Sequence, residues 1–235
     1  MQLKFLKLFS RPLSAMLIAL SATVAGAQPT GLLYDPEPPV DSAYVRVINA
    51  AAAGTVDVRI DGRSRIQKLG AGEASEYMVM TAGKHAIALH APGKQEAQLT
   101  TNLDVVKGRA TTVAFLTLKG DHEPIVFEDK ANTNKLKALL SVYHLVAKVG
   151  PLDVLSIDGK TKAFSNITFG TSAAIPVNPI SIELIAAKVG ETTPQATTSV
   201  AMSQGGTYSV LLLTGDSGKM VARSVQNKIE RYTGK

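Results

Sequence analysis

Val56-Asp57-Val58-Arg59-Ile60-Asp61-Gly62 alternates apolar and polar residues and ends in Asp-Gly. A period of two places the apolar side chains on one face of a strand, and Asp-Gly is a strong hairpin signal. The pattern returns, with one residue inserted, as Leu152-Asp153-Val154-Leu155-Ser156-Ile157-Asp158-Gly159, so that Gly62 recurs as Gly159, 97 residues on. Gly108-Arg109-Ala110-Thr111-Thr112-Val113 parallels Gly205-Gly206-Thr207-Tyr208-Ser209-Val210 at the same spacing. Two anchors at one offset describe a chain built of two like halves.

Short alternating runs fill both halves. Tyr44–Ile48 sets Arg46 on one face of a strand and Val45 and Val47 on the other, and Val56–Ile60 follows. Further runs are Ala74–Met80, His85–His90, Glu96–Leu103, Thr111–Lys119 and Pro124–Glu128, punctuated by Gly83, Pro92-Gly93, Gly108 and Gly120. After the polar stretch Asp129–Lys137 they resume at Leu139–Val146, Leu152–Ile157, Ala163–Phe169, Ser172–Val177, Ser181–Ala187, Thr197–Met202, Tyr208–Leu213 and Val221–Val225. Many short strands with turn signals between them predict an all-β chain. The expected architecture is two tandem antiparallel β-sandwich domains, jelly-roll or Ig-like, over residues 42–128 and 138–235, joined by a linker over 129–137. Each is long enough to bury a core without disulfides.

The first 41 residues carry a different message. Lys4, Lys7 and Arg11 precede an apolar run, Leu13–Val24, and Ala25-Gly26-Ala27 offers a cleavage site before Gln28. This predicts a secretory signal peptide over residues 1–27, with the remaining chain exported to the periplasm and not inserted in the membrane. Pro29, Pro36, Pro38 and Pro39 make residues 28–41 an extended leader. Without residues 1–27 the chain holds 22 basic and 19 acidic residues, a net charge of +3. No Lys/Arg cluster is interleaved with aromatics, so no nucleic-acid partner is expected. The chain has no Cys, which excludes thiol catalysis, Fe–S clusters and cysteinyl zinc sites.

Catalytic motifs fare poorly. Tyr208–Gly218 runs an apolar strand into Gly215-Asp216-Ser217, the way an SGNH-type esterase presents its serine, but no His follows His144 to act as base. Asp216-Ser217-Gly218 reads instead as a hairpin turn. Asp121-His122-Glu123 places three ligand-type residues side by side, where neighbours in a strand diverge, so no metal site is expected. Asp57 and Asp61 recur as Asp153 and Asp158, and recurrence in both halves indicates a structural role. No phosphate-binding glycine loop or dinucleotide fingerprint is present, and no cofactor is expected. The residues describe a non-enzymatic, exported, all-β binding or assembly module.

The segment Gly31–Ala50 (GLLYDPEPPVDSAYVRVINA) carries a resemblance. It is similar to the start of the mature AlgF family, periplasmic proteins of alginate O-acetylation, which opens with a G-L-Y-x-P-x-x-P leader and a strand of the form (F/Y)-V-R-V-x-N-A. Lys137-Ala138-Leu139-Leu140-Ser141-Val142 and Val210-Leu211-Leu212-Leu213-Thr214-Gly215 extend the likeness into the second half. Where the family restarts with a second V-R-V-x-N, this chain has Ser141-Val142-Tyr143-His144-Leu145. The resemblance implies a non-catalytic accessory role in O-acetylation of a secreted polysaccharide, alginate or cellulose. The implied partners are periplasmic SGNH-like acetyltransferases and a membrane acyltransferase complex, with an anionic polysaccharide as a further ligand. The alternative is a general envelope scaffold or adhesion module. Tyr34, Tyr44, Arg46 and Asn49, which lie in the family-like segment and have the chemistry of surface residues, are the expected partner-binding residues.

Overall fold

The computed structural model describes residues 38–118 and 122–233. The expected signal peptide, most of the leader with Tyr34, and Asp121 lie outside them. All regular structure among the described residues is β. The first half contains β1 (Ser42–Asn49), β2 (Thr55–Ile60), β3 (Arg63–Gly70), β4 (Glu73–Ala74), β5 (Met78–Thr81), β6 (Gly83–His90), β7 (Ala97–Val105), β8 (Ala110–Phe115) and β9 (Ile125–Asp129). The second contains β10 (Ala138–His144), β11 (Leu152–Ser156), β12 (Lys162–Ile167), β13 (Ser172–Val177), β14 (Ser181–Lys188), β15 (Ala196–Ala201), β16 (Thr207–Thr214) and β17 (Met220–Gln226).

Both halves repeat one topology. In the first, β1 lies between β8 and the pair β4 and β5, with β9 outside β8, and the facing sheet has the order β3-β2-β6-β7. In the second, β13-β10-β16-β17 faces β12-β11-β14-β15. Pairing is antiparallel with one exception per half: β1 runs parallel to β8, and β10 to β16. The sheets are therefore mixed. The chain crosses to the facing sheet between those partners, a detour that parallel neighbours require.

Alternation builds two cores. Val45 and Val47 of β1 meet Val56, Val58, Ile87, Leu89 and Phe115, and Leu140 and Val142 of β10 meet Leu152, Val154, Leu184 and Val210. The opposite face of β1 is covered as well. Ile48, Ala114 and Phe127 from the first half pack on Tyr143, Leu145, Leu211 and Leu213 from the second. The β1 and β10 sheets thus lie face to face, and the described residues form four sheet layers. Every residue of β10 is buried. The strand missing from the sequence reading is β3. It is an edge strand, largely exposed, with Arg63, Arg65, Gln67 and Lys68 along it, and a bulge at Lys68 (φ 55°) breaks its alternation.

The recurring aspartates serve the backbone. Asp57 Oδ1 accepts from the Lys68 amide (2.8 Å) and Oδ2 from the Gly93 amide (2.9 Å). Asp153 Oδ1 accepts from the Asn166 amide (2.8 Å), and Oδ2 from the Gly190 amide (3.2 Å) and Lys162 Nζ (2.5 Å). Lys68 and Asn166 are both left-handed residues, at φ 55° and 53°, so each carboxylate clasps a bulge in the next strand and a turn beyond it. Hydrogen bonds from the Gly93 and Lys68 amides hold Asp57 below the usual carboxylate value. Burial alone would raise Asp153, but the bonds from Lys162, Asn166 and Gly190 outweigh it and hold it low.

Asp153, 1% exposed, leaves two backbone amides unsatisfied when truncated. Asp153→Ala should cost about 1–3 kcal/mol, read as a lower urea midpoint at unchanged slope. The carboxylates' contribution is present above the ordinary value of 3.8 and is lost as pH falls through their lowered folded-state values. Stability should therefore fall less steeply on acidification in the Asp153→Ala variant than in the wild type.

Candidate functional site

Arg46 alternates away from the first core and into the seam between the facing sheets, where it is completely buried. Its Nε donates to Thr112 Oγ1 (2.8 Å) on β8, the parallel neighbour in register with it. Its Nη1 donates to Asn227 Oδ1 (2.6 Å) and its Nη2 to Ser209 Oγ (2.9 Å), both in the second half. Tyr77 and Tyr143 flank the guanidinium, with ring centres 4.7 and 5.2 Å from its carbon. Both lie within the reach of a cation–π contact.

Asp129, the last residue of β9, supplies the opposite charge at one remove. Thr112 donates its hydroxyl to Asp129 Oδ2 (2.5 Å), Tyr77 donates to Oδ2 (2.8 Å), and Tyr143 donates to Oδ1 (2.5 Å). Burial pushes Tyr143 up to about 12 against the pull of Arg46, and raises Tyr77 as well, so both hydroxyls stay protonated donors at neutral pH. Phe127 packs edge-on against Tyr143 at 5.1 Å. The chain after β17 completes the seam. Tyr77 pairs in parallel with Ile229, and Glu230 ties the Val79 amide (2.9 Å) and Arg65 (2.5 Å) to the second half.

Beside Asp129 the seam opens into a cleft of about 440 Å³. Its inner lining includes Tyr44, Ser141, Tyr143, Asn227 and Asp129. Exposed Lys130, Lys135 and Lys228 line its outer part, with Arg109 and Glu128, which are ion-paired to each other. Asn132, from the polar segment between the halves, donates to the carbonyls of Lys137 (3.0 Å) and Gly205 (3.2 Å), so this segment is packed as well as connecting.

The expected partner-binding residues part company here. Tyr34 lies outside the described residues. Tyr44 is half-buried and lines the cleft. Arg46 and Asn49 are not at the surface at all, which corrects their assignment to an exposed binding face. For Arg46 the physical reason is the second sandwich, which covers the face of β1 that carries Arg46 and Ile48; Asn49 lies on the other face, with Val45 and Val47, and is buried by the first sandwich itself. Asn49, 1% exposed, donates to the carbonyls of Gly54 (3.2 Å) and Leu69 (3.1 Å) and accepts from the Ala51 amide (3.3 Å), closing the connection after β1. Sequence reasoning missed Tyr77, Asp129, Tyr143, Ser209 and Asn227. The repeat held a signal: Thr112 and Ser209 are 97 residues apart and occupy equivalent registers beside Arg46 and Ser141.

Ser217 sits in the turn between β16 and β17, closed by Gly218 at φ 75° and by a bond from the Gly218 amide to Gly215 O (2.9 Å). The histidines with partners are engaged on both nitrogens: His85 by Asp61 and the Thr81 carbonyl, His144 by the Gly150 carbonyl and the Val146 amide. His90 is buried, with Nδ1 unpartnered. Among the described residues no group of three metal-ligating side chains converges, and no helix is long and apolar enough to cross a membrane.

Fold and site together define an all-β, two-sandwich module with a cleft at its seam. A family model described as a domain of unknown function (DUF4397) matches residues 43–155, from the start of β1 to within β11. The chain resembles the alginate biosynthesis protein AlgF along most of its length. It is 25% identical to AlgF of Pseudomonas putida over 86% of this chain and 87% of that protein. It is 25% identical to AlgF of Pseudomonas aeruginosa over 94% and 95%. The solved C-terminal domain of AlgF from P. aeruginosa aligns with 39% of this chain and 99% of its own length, at 22% identity and a TM-score of 0.32.

Breaking a buried charged network from one side leaves the other charge uncompensated. Arg46→Ala should therefore destabilise the protein by about 3–5 kcal/mol. Arg46→Met combined with Asp129→Asn should cost clearly less than the sum of the two single changes, because both charges leave together. Urea unfolding of the four variants measures that coupling.

Proposed function

We propose that this protein is a non-catalytic periplasmic accessory protein of exopolysaccharide O-acetylation, with alginate as the polymer, and that it holds acetyltransferase components beside the nascent chain. The observation that carries this reading is the similarity to proteins named for alginate biosynthesis, which extends over 86–94% of the chain and so takes in both sandwiches and the seam between them. The site agrees with a holding role. Arg46 and Asp129 are spent on the groups around them, the candidate nucleophile Ser217 is an exposed turn residue, and the open part of the seam is a cleft lined by Tyr44, Ser141 and Asn227.

Deletion of the gene tests the reading. The secreted polymer should keep its yield and lose its O-acetyl groups, and its sugar composition names the polymer, with glucose indicating cellulose and uronates alginate. Unchanged acetylation overturns the proposal in favour of a general envelope scaffold. Complementation with Ser217→Ala should restore acetylation fully, and failure to do so would assign chemistry to that serine.

A further inference from the structure

Three lysines of the seam cleft carry charges that the ion pairs among the described residues leave unused. Lys130, Lys135 and Lys228 are exposed, and none makes an ion pair among the described residues. The nearby acids are committed: Glu128 pairs with Arg109, and both oxygens of Asp129 accept from hydroxyls. The cleft therefore presents three unpaired ammonium groups around an interior that includes Tyr44, Ser141 and Tyr143. Two of them are placed by the repeat itself. Lys130 follows Asp129 and Lys228 follows Asn227, residues that leave β9 and β17 at equivalent registers beside Ala110 and Thr207. The two sandwiches thus contribute matching cations to one opening. Inside, the hydroxyls of Tyr44 and Ser141 have no hydrogen-bond partner in the described residues and face the cleft.

We propose that this cleft is a docking slot for an extended acidic segment of the acetyltransferase partner; the inference rests on the holding role proposed above. A volume of about 440 Å³ admits a short run of side chains and not a folded domain. Carboxylates of such a segment meet the lysine ammoniums, and its backbone meets the Tyr44 and Ser141 hydroxyls. A polysaccharide suits the cleft less well. Tyr77 and Tyr143 are buried, at 7% and 2% exposure, with Arg46 against their faces, so neither ring is bare to stack on a sugar.

The test uses the full mature chain and a purified periplasmic polysaccharide acetyltransferase from the same organism. Lys130→Glu, Lys135→Glu and Lys228→Glu together should leave the thermal melt unchanged, since all three side chains are exposed, and weaken the complex by on the order of tenfold or more. The wild-type complex should weaken as salt rises, and the residual binding of the variant should not. A photo-crosslinking residue in place of Tyr44 should label a segment of the acetyltransferase rich in Asp and Glu. Undiminished binding by the triple variant, or crosslinks to a segment without acidic residues, overturns the slot and leaves the holding role standing. Failure of the wild-type chain to bind the acetyltransferase at all sinks the holding role and the slot with it. Binding of mannuronate oligomers by the wild type that the triple variant loses overturns the peptide in favour of the polymer.

Discussion

A guanidinium with no exposure to water is costly unless its donors and its charge are answered, and the whole seam of this molecule is arranged to answer one. Arg46 reaches Thr112 on its own sheet, Ser209 on the opposing sheet and Asn227 beyond it, between rings from Tyr77 and Tyr143. The apolar contacts around it, Ile48 and Ala114 against Leu211 and Leu213, supply area but no direction. Directional bonds from one planar fork to both sandwiches fix how the two sheets register, since sliding either by one residue would strand a buried donor.

The repeat is most informative where it fails. Arg46 lies in register with Thr112, and its counterpart Ser141 with Ser209. Asp129 and Asn227 hold equivalent places after their edge strands. Identical halves packed face to face through these strands would bring two guanidiniums into one dry space, where like charges repel strongly. Here the first half keeps the charged set, Arg46 and Asp129, and the second keeps neutral partners, Ser141, Ser209 and Asn227. The like halves thereby form one unlike, complementary seam.

Much of this fold was legible because strands with one face on a core must alternate. Val45 and Val47, then Val56 and Val58, announce the first sandwich, and Leu140 and Val142 with Leu152 and Val154 announce the second. The edge strand β3 was not legible, because few of its residues reach the core and the Lys68 bulge interrupts even that pattern. The meaning of the other face of β1 was not legible either. Alternation separates Arg46 from the valines but does not say whether its side meets water or another sheet. Arg46 and Asn49 have the chemistry of surface residues, yet the second layer makes Arg46 the centre of the seam, and the loop and edge strand of the first sandwich make Asn49 a clasp. Asp129 opened what read as a polar linker, and only its place beside Thr112 and the two tyrosines reveals its use. The parallel pairs were hidden for a related reason: pairing partners far apart in the chain leave no local trace.

A binding cleft that both sandwiches build inherits its shape from whatever fixes their register. Tyr44 and Lys130 enter the cleft from one half, Ser141 and Lys228 from the other, and Asp129 belongs to the cleft lining and to the Arg46 network at once. The spacing of the three lysines is therefore set by the same bonds that keep the guanidinium satisfied. Loosening the seam would not remove a single lysine, but it would spread them, and charges held apart attract an acidic segment less than charges held around one opening. Stability at the seam and recognition at the cleft are in this way two consequences of burying Arg46.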